Sequence, residues 1–339
     1  MRAAGVEPIL IAPSTFHYSG LATGVLSGAL AAGRGQINVA ALAAHFGVRH
    51  IAAEVTQVER PCRRLHLSDG QVLSYDAVSF NVGSVTRDPD GLADGVDVWP
   101  TKPLTGLIDL RSRVEAYIEN HGEGPAIIVV GSGQSGFEIA AALAGLVQRH
   151  GATPDIQLLC KSSPTWAPPR AIARLSGALQ HRGVVIVHGQ IAEYGSRDML
   201  VLASGLTAVP IIAALGLPIA DHGRLRVGPT LQSMADPTVF AVGDCSVVDG
   251  APRPAAGVFG VRAAPVLLHN LAALGHGGSM RRYQPQRHWL SIMDLGDGNG
   301  LAIRGRFWWM GPAALALKRR LDLGFIDRMR APSGDMLQD

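Results

Sequence analysis

Gly131-Ser132-Gly133-Gln134-Ser135-Gly136 carries a spacing suited to holding a pyrophosphate. Gly131 permits a tight turn, Gly133 lets backbone approach a phosphate, and Gly136 allows close packing of helix on strand. The context agrees. An apolar run, Ala126 to Val130, leads in, and a helical pattern from Phe137 to Arg149 leads out, stopped by Gly151. A helix starting there offers free N–H groups and the positive end of its dipole. The segment therefore predicts a dinucleotide site. A second segment, Thr238 to Ser246, ends an apolar run in Gly243-Asp244. Glycine admits a ligand to the backbone, and Asp244 suits sugar or ribityl hydroxyls. Taken alone, this is also how an ordinary strand turns.

The second strand of a dinucleotide unit commonly ends in an acid that binds the adenine ribose diol and repels a 2′-phosphate. Here Leu158-Leu159 leads to Cys160-Lys161-Ser162-Ser163. Lys161 would accept a 2′-phosphate, or it is a solvated lysine at a strand end, so NADH and NADPH both stay open. The three cysteines, Cys62, Cys160 and Cys245, form no CxxC pair and no cluster with zinc spacing, so no metal site is expected. A net charge of +3 gives no argument for nucleic acid.

These residues need a scaffold of alternating strands and helices. Strand patterns fall at Ile9 to Ala12, Val55 to Val58, Arg64 to Leu67, Ala77 to Phe80, Ile156 to Leu159, Val184 to Val187, Met199 to Ala203 and Thr238 to Val242. Helical periodicity falls at Leu107 to Ile118 and Val261 to Leu274, and a linker pattern over 86–103. With 47% hydrophobic and 17% charged residues, the chain reads as an α/β protein with strands buried on both faces, or as one that touches a membrane. The uncharged stretch 8–33 contains Pro8, Pro13 and several glycines, which argues against a membrane span.

The order of the segments carries a resemblance. Asn81-Val82-Gly83-Ser84 ends one strand, GxGxxG with Glu138 follows, then Ala203-Ser204-Gly205, then Gly243-Asp244. This order resembles the two-dinucleotide flavoprotein (pyridine nucleotide-disulfide oxidoreductase) superfamily. Within it, FHYSGLATGVLSGAL, WPTKPLTGL and PAAGVFGVRAAPVLLHNLAAL are most similar to type II NADH dehydrogenase-like proteins, including those fused to selenide, water dikinase. The resemblance implies two Rossmann-like domains: an FAD domain in two parts, 1–100 and 208–275, interrupted by an NAD(P) domain, 101–207, with a C-terminal region, 276–339. It implies that Gly83 and Ser84 lie near FAD and that Gly243 and Asp244 hold its ribityl region. The helix end at Gly257-Val258 would point to the flavin's pyrimidine edge, and Glu138 would lie on the nicotinamide side, or else is a first-turn helix acid favoured by the dipole. The family's usual opening strand and glycine turn have no counterpart before MRAAGV, which matches a helix end. A truncated FAD domain is therefore expected.

What the resemblance implies for function is an FAD-dependent NAD(P)H:acceptor oxidoreductase with a quinone as acceptor. The alternative is a non-catalytic nucleotide-binding remnant or partner protein. The redox cysteine pair of disulfide reductases is absent. Lys102 sits at the domain crossover, either beside the flavin or solvated in the linker. In the tail, Phe307-Trp308-Trp309-Met310 precedes Lys318-Arg319-Arg320. Aromatic residues with basic neighbours suit a membrane interface, so 304–330 is either a peripheral membrane contact or a helix packed on the core. The setting expected is cytoplasmic, or peripheral at the inner face of the plasma membrane.

Overall fold

A computed structural model describes residues 5–87, 96–189 and 198–330. Its organising element is a five-stranded parallel sheet. The strand order is Val98–Pro100, Met199–Leu202, Ala126–Val130, Asp155–Cys160, Val184–His188. Alternation sorts its side chains. Ile127, Val129, Ile156, Leu158 and Val201 enter one core, while Ile128, Leu159, Leu200 and Leu202 enter another on the opposite face. That two-sided burial explains the unbroken apolar strands.

The helix Gln134–Arg149 buries nearly every residue from Gly136 to Val147. One side meets the parallel sheet. Others meet the short helix Ala22–Leu26 and a three-stranded antiparallel sheet formed late in the chain. Leu26, Met293, Leu295, Leu301 and Ile303 share its core. A helix covered on several sides is apolar all round. Each leucine it buries contributes about 2 kcal/mol.

Around this unit lie two-stranded parallel pairs, Ile9–Ile11 with Arg49–Ile51 and Val78–Phe80 with Val239–Ala241. A meander of Val55–Glu59, Arg64–Leu67 and Val72–Ser74 packs nearby. The helix Gly257–His276 follows, packing through Phe259, Ala263, Asn270 and Ala273.

The structure adds elements that periodicity does not reveal. Arg49–Ile51 is three residues long, too short to display a period. The tail is a sheet of Ser291–Asp294, Gly300–Arg304 and Phe307–Gly311, followed by the helix Pro312–Arg330. Pro312 stands at the helix's first position, where its missing N–H costs nothing. That helix is tied to the chain's beginning. Lys318 donates to the Gly20 carbonyl at 2.6 Å, Tyr18 donates to Asp322 at 2.9 Å, and Arg330 donates to the Gln36 and Gly33 carbonyls at 2.6 and 2.8 Å. Residues 88–95 of the linker pattern and 1–4 of the helix end lie outside the described residues.

Candidate functional site

The strand Ala126–Val130 delivers the chain into Gly131, whose N–H donates to the Leu159 carbonyl at 3.0 Å. Gly133 caps the helix in an extended conformation. A Cβ placed on Gly136 would lie 2.1 Å from the Gly131 carbonyl oxygen, so the helix sits directly on the turn. A Cβ on Gly133 would meet no heavy atom within 4 Å. The cradle is thus closed on its structural side and open where a phosphate would enter. The first N–H groups of the helix have no intrahelical partner and are available to an anion.

Lys161 is exposed one residue beyond the adjoining strand, which ends at Cys160. Burial raises the Cys160 thiol above its usual range. Trp166, unremarked in the sequence, donates its indole N–H to the Ser132 carbonyl at 3.0 Å and meets Phe137 edge-on at 5.5 Å. It fixes the loop after Cys160 against the glycine turn.

A second cluster forms where Val78–Phe80 and Val239–Ala241 run side by side. Beyond their ends stand Gly83 and Ser84 from one strand, and Gly243 and Asp244 from the other. Gly243 has φ +77°, and a Cβ there would lie 2.7 Å from the Asn81 side-chain oxygen. The Asp244 carboxylate accepts from the Ser84 hydroxyl at 3.1 Å and the Lys102 ammonium at 2.5 Å. Lys102 also donates to Ser84 at 2.9 Å, with its side chain 24% exposed. The linker lysine is therefore not solvated freely; it is paired inside this cluster. Gly257 and Val258 open the helix Gly257–His276, and a Cβ on Gly260 would approach the Gly243 Cα to 3.3 Å. The positive end of that helix thus abuts the Gly243-Asp244 turn.

Glu138 joins neither turn directly. Its carboxylate accepts from the Thr23 hydroxyl and from the Asp294 backbone N–H, each at 2.9 Å. Burial pushes its pKa up, against the opposing pull of Lys318 and of these two hydrogen bonds. Burial alone would depress Lys318, but the charges of Glu138, Asp322 and Asp294 outweigh it and hold the ammonium above its ordinary value. Lys318 donates to Asp322 at 3.0 Å, and Tyr18 bonds the same carboxylate while stacking on Phe325 at 4.8 Å. This network links the glycine-turn helix, the chain's beginning and the C-terminal helix. Only the Lys318–Asp322 spacing of four hints at it in the sequence.

Phe307 and Trp309 are exposed, at 79% and 41%. Trp308 and Met310, alternating with them, pack on the main core. Both alternatives for the tail thus have material: its inner face is core, and its outer face is aromatic.

The family model described as pyridine nucleotide-disulphide oxidoreductase matches residues 1–264. An NADH dehydrogenase-like protein of Mycobacterium tuberculosis is 30% identical over 227 residues, 58% of this chain and 55% of that protein. The chain thus spans about half the length of that relative. A demethylphylloquinone reductase of Synechocystis is 27% identical over 308 residues, covering 82% and 74%. The solved sulfide:quinone oxidoreductase of Aquifex aeolicus superposes with a TM-score of 0.78 at 13% identity, covering 96% and 85%. An engineered water-forming NADPH oxidase bound to NADPH superposes at 0.67 with 16% identity, covering 87% and 69%. Likeness at these identities establishes the fold.

Proposed function

The chain belongs to the pyridine nucleotide-disulphide oxidoreductase family, and from that premise we propose that it is an FAD-dependent NAD(P)H:acceptor oxidoreductase, NADH dehydrogenase-like, with a quinone as acceptor. The observation carrying this reading is the pair of strand-end turns. One, at Gly131–Gly136, is open at Gly133 and backed by a helix N-terminus. The other, at Gly243-Asp244, is abutted by the N-terminus of Gly257–His276. Both fit dinucleotides: each offers backbone N–H groups and a positive helix end, and the second adds a carboxylate for sugar hydroxyls.

FAD, when bound, supplies the hydride and electron chemistry. The chain's residues bind and orient. Gly131 and Gly133 would bring backbone to the pyridine nucleotide's pyrophosphate, with Gly136 seating the helix on the turn. Asp244 would accept from the flavin's polyol, with Lys102 and Ser84 fixing the carboxylate. The helix end at Gly257-Val258 would favour negative charge near the flavin ring. Cys160 and Cys245 are buried and Cys62 is exposed, all as free thiols, so electrons pass to an external acceptor rather than through a protein dithiol. The quinone-reductase relative supports a quinone in that role.

The test is spectroscopic. The purified protein, supplied with FAD and then freed of unbound flavin, is expected to retain oxidised-flavin absorbance, to bleach on anaerobic NADH or NADPH, and to recover on adding a soluble quinone. A flavin-loaded protein that neither nucleotide bleaches would rule the activity out.

We assign the lipid side of this reading to the outer face of the tail, with Phe307, Trp309 and Leu321 exposed and Arg304 and Arg320 beside them in the chain. On this reading the protein is cytoplasmic and peripheral at the inner face of the plasma membrane. Phe307→Ser/Trp309→Ser is expected to weaken sedimentation with anionic vesicles about fivefold, a loss of about 1 kcal/mol, while soluble-dye reduction holds. Equal sedimentation of the variant and the parent would reject the assignment.

A further inference from the structure

An open groove of about 710 Å³ runs between the loop after Cys160 and the turn of the C-terminal hairpin. Two tryptophans wall it, Trp166 from the loop and Trp308 from the hairpin. Two arginines line it, Arg170 in the first turn of helix Pro169–Gln180 and Arg306 at the hairpin turn. Both arginines are exposed, and no carboxylate lines the groove among the described residues. Gly305, at φ +60°, makes the turn that presents Arg306.

We infer that this groove takes the 2′-phosphorylated adenosine end of NADPH, and that Arg306, from a part of the chain outside the dinucleotide unit, is a specificity-determining residue. The inference rests on reading Gly131–Gly136 as the nucleotide site, and three observations extend it to the groove. Trp166 is bonded to Ser132 within the glycine turn, so the groove begins where the pyrophosphate would lie. The loop from Lys161 to Pro168 leaves the carboxyl end of the second strand, the edge toward which a dinucleotide unit directs its adenosine. The chemistry of the lining matches the ligand: indole faces suit a purine, and guanidinium forks suit a phosphate dianion. The start of helix Pro169–Gln180 adds its positive end.

Titration of the full chain with 2′,5′-ADP and with 5′-AMP, followed by tryptophan fluorescence and calorimetry, separates the possibilities. The expected result is tighter binding of 2′,5′-ADP by about tenfold, equivalent to about 1.4 kcal/mol. Arg306→Gln and Arg170→Gln should each erase most of that margin and leave 5′-AMP binding within about twofold. A preference that survives both substitutions overturns the inference while leaving the nucleotide site intact. So does equal affinity for the two probes. Failure of both probes to bind, with NADH also failing to bind, overturns the inference together with the reading of the glycine turn.

Discussion

Gly133→Val is expected to fold normally and to lose its pyridine nucleotide. The position is open, with nothing within 4 Å of a new Cβ, so the valine enters the volume where backbone must meet phosphate rather than the protein interior. Affinity for NAD(P)H should fall at least about tenfold, or about 1.4 kcal/mol, while the melting temperature stays within a degree or two. Gly136→Val is the matched contrast. Its Cβ would be driven to 2.1 Å from the Gly131 carbonyl oxygen, and the obstructing atoms are all Gly131 backbone, which no rotamer of the new side chain avoids. That variant should lose about 3 kcal/mol or more of stability, in the range of overpacked core sites. Calorimetric titration and thermal melts on the two proteins check both halves. Undiminished nucleotide binding in folded Gly133→Val would remove the assignment of the site.

Lys318→Met should be among the most damaging single changes outside the nucleotide turn. The Lys318 side chain is 12% exposed and that of its partner Asp322 14%, and Glu138 and Asp294 lie within electrostatic reach of the ammonium. Methionine fills the space but leaves carboxylates without their counter-charge. Breaking a buried pair on one side costs about 3–5 kcal/mol, enough to lower the melting temperature by about 4–7 °C in a chain of this length. The loss should depend on pH in a definite direction. Glu138 already has a raised pKa in the folded protein, and removing Lys318 raises it further. A carboxyl whose folded pKa exceeds its unfolded one binds its proton more tightly in the fold, so relative stability is gained as pH falls. The deficit of Lys318→Met should therefore be larger at pH 8 than at pH 5.5. A variant as stable as the parent at both pH values would show that the cluster contributes nothing.

The Gly131–Gly136 turn is legible in the sequence because it is local: strand, glycines and helix follow one another within about a dozen residues. The sheet is legible for the same reason, since strands buried on both faces display themselves as apolar runs. At the second turn only the strand and Gly243-Asp244 are contiguous; the helix Gly257–His276 starts after a further strand. The Lys318 network has no such signature. Tyr18 and Asp322 are 304 positions apart, and Glu138 and Asp294 are 156 apart. No periodicity connects groups that meet only after the chain has closed. The tail resists reading for another reason. In Phe307–Gly311, aromatic residues occupy both the face that packs inward and the face left outside, so the alternation that marks a half-buried strand is erased. The pairing of Lys102 with Asp244 crosses 142 positions. Sequence gives the lysine a place in the linker but not its partner.

The ties between the first forty residues and the final helix also set a schedule. Gly20, Gly33 and Gln36 offer carbonyls to Lys318 and Arg330, groups made nearly three hundred residues later. At a ribosome adding about 5–20 residues per second, the opening segment waits on the order of fifteen seconds to a minute for the helix that completes it. During that interval the apolar surface of Leu21, Ile37 and their neighbours, which Ile326 finally covers, is open to other contacts. The parallel sheet between Val98 and Leu202 draws its strands from one continuous span and can assemble while the remainder is still being made. Biogenesis should therefore proceed from the middle outward, with the two ends joining last, and nascent chains stopped short of the C-terminal helix should be the ones that chaperones retain.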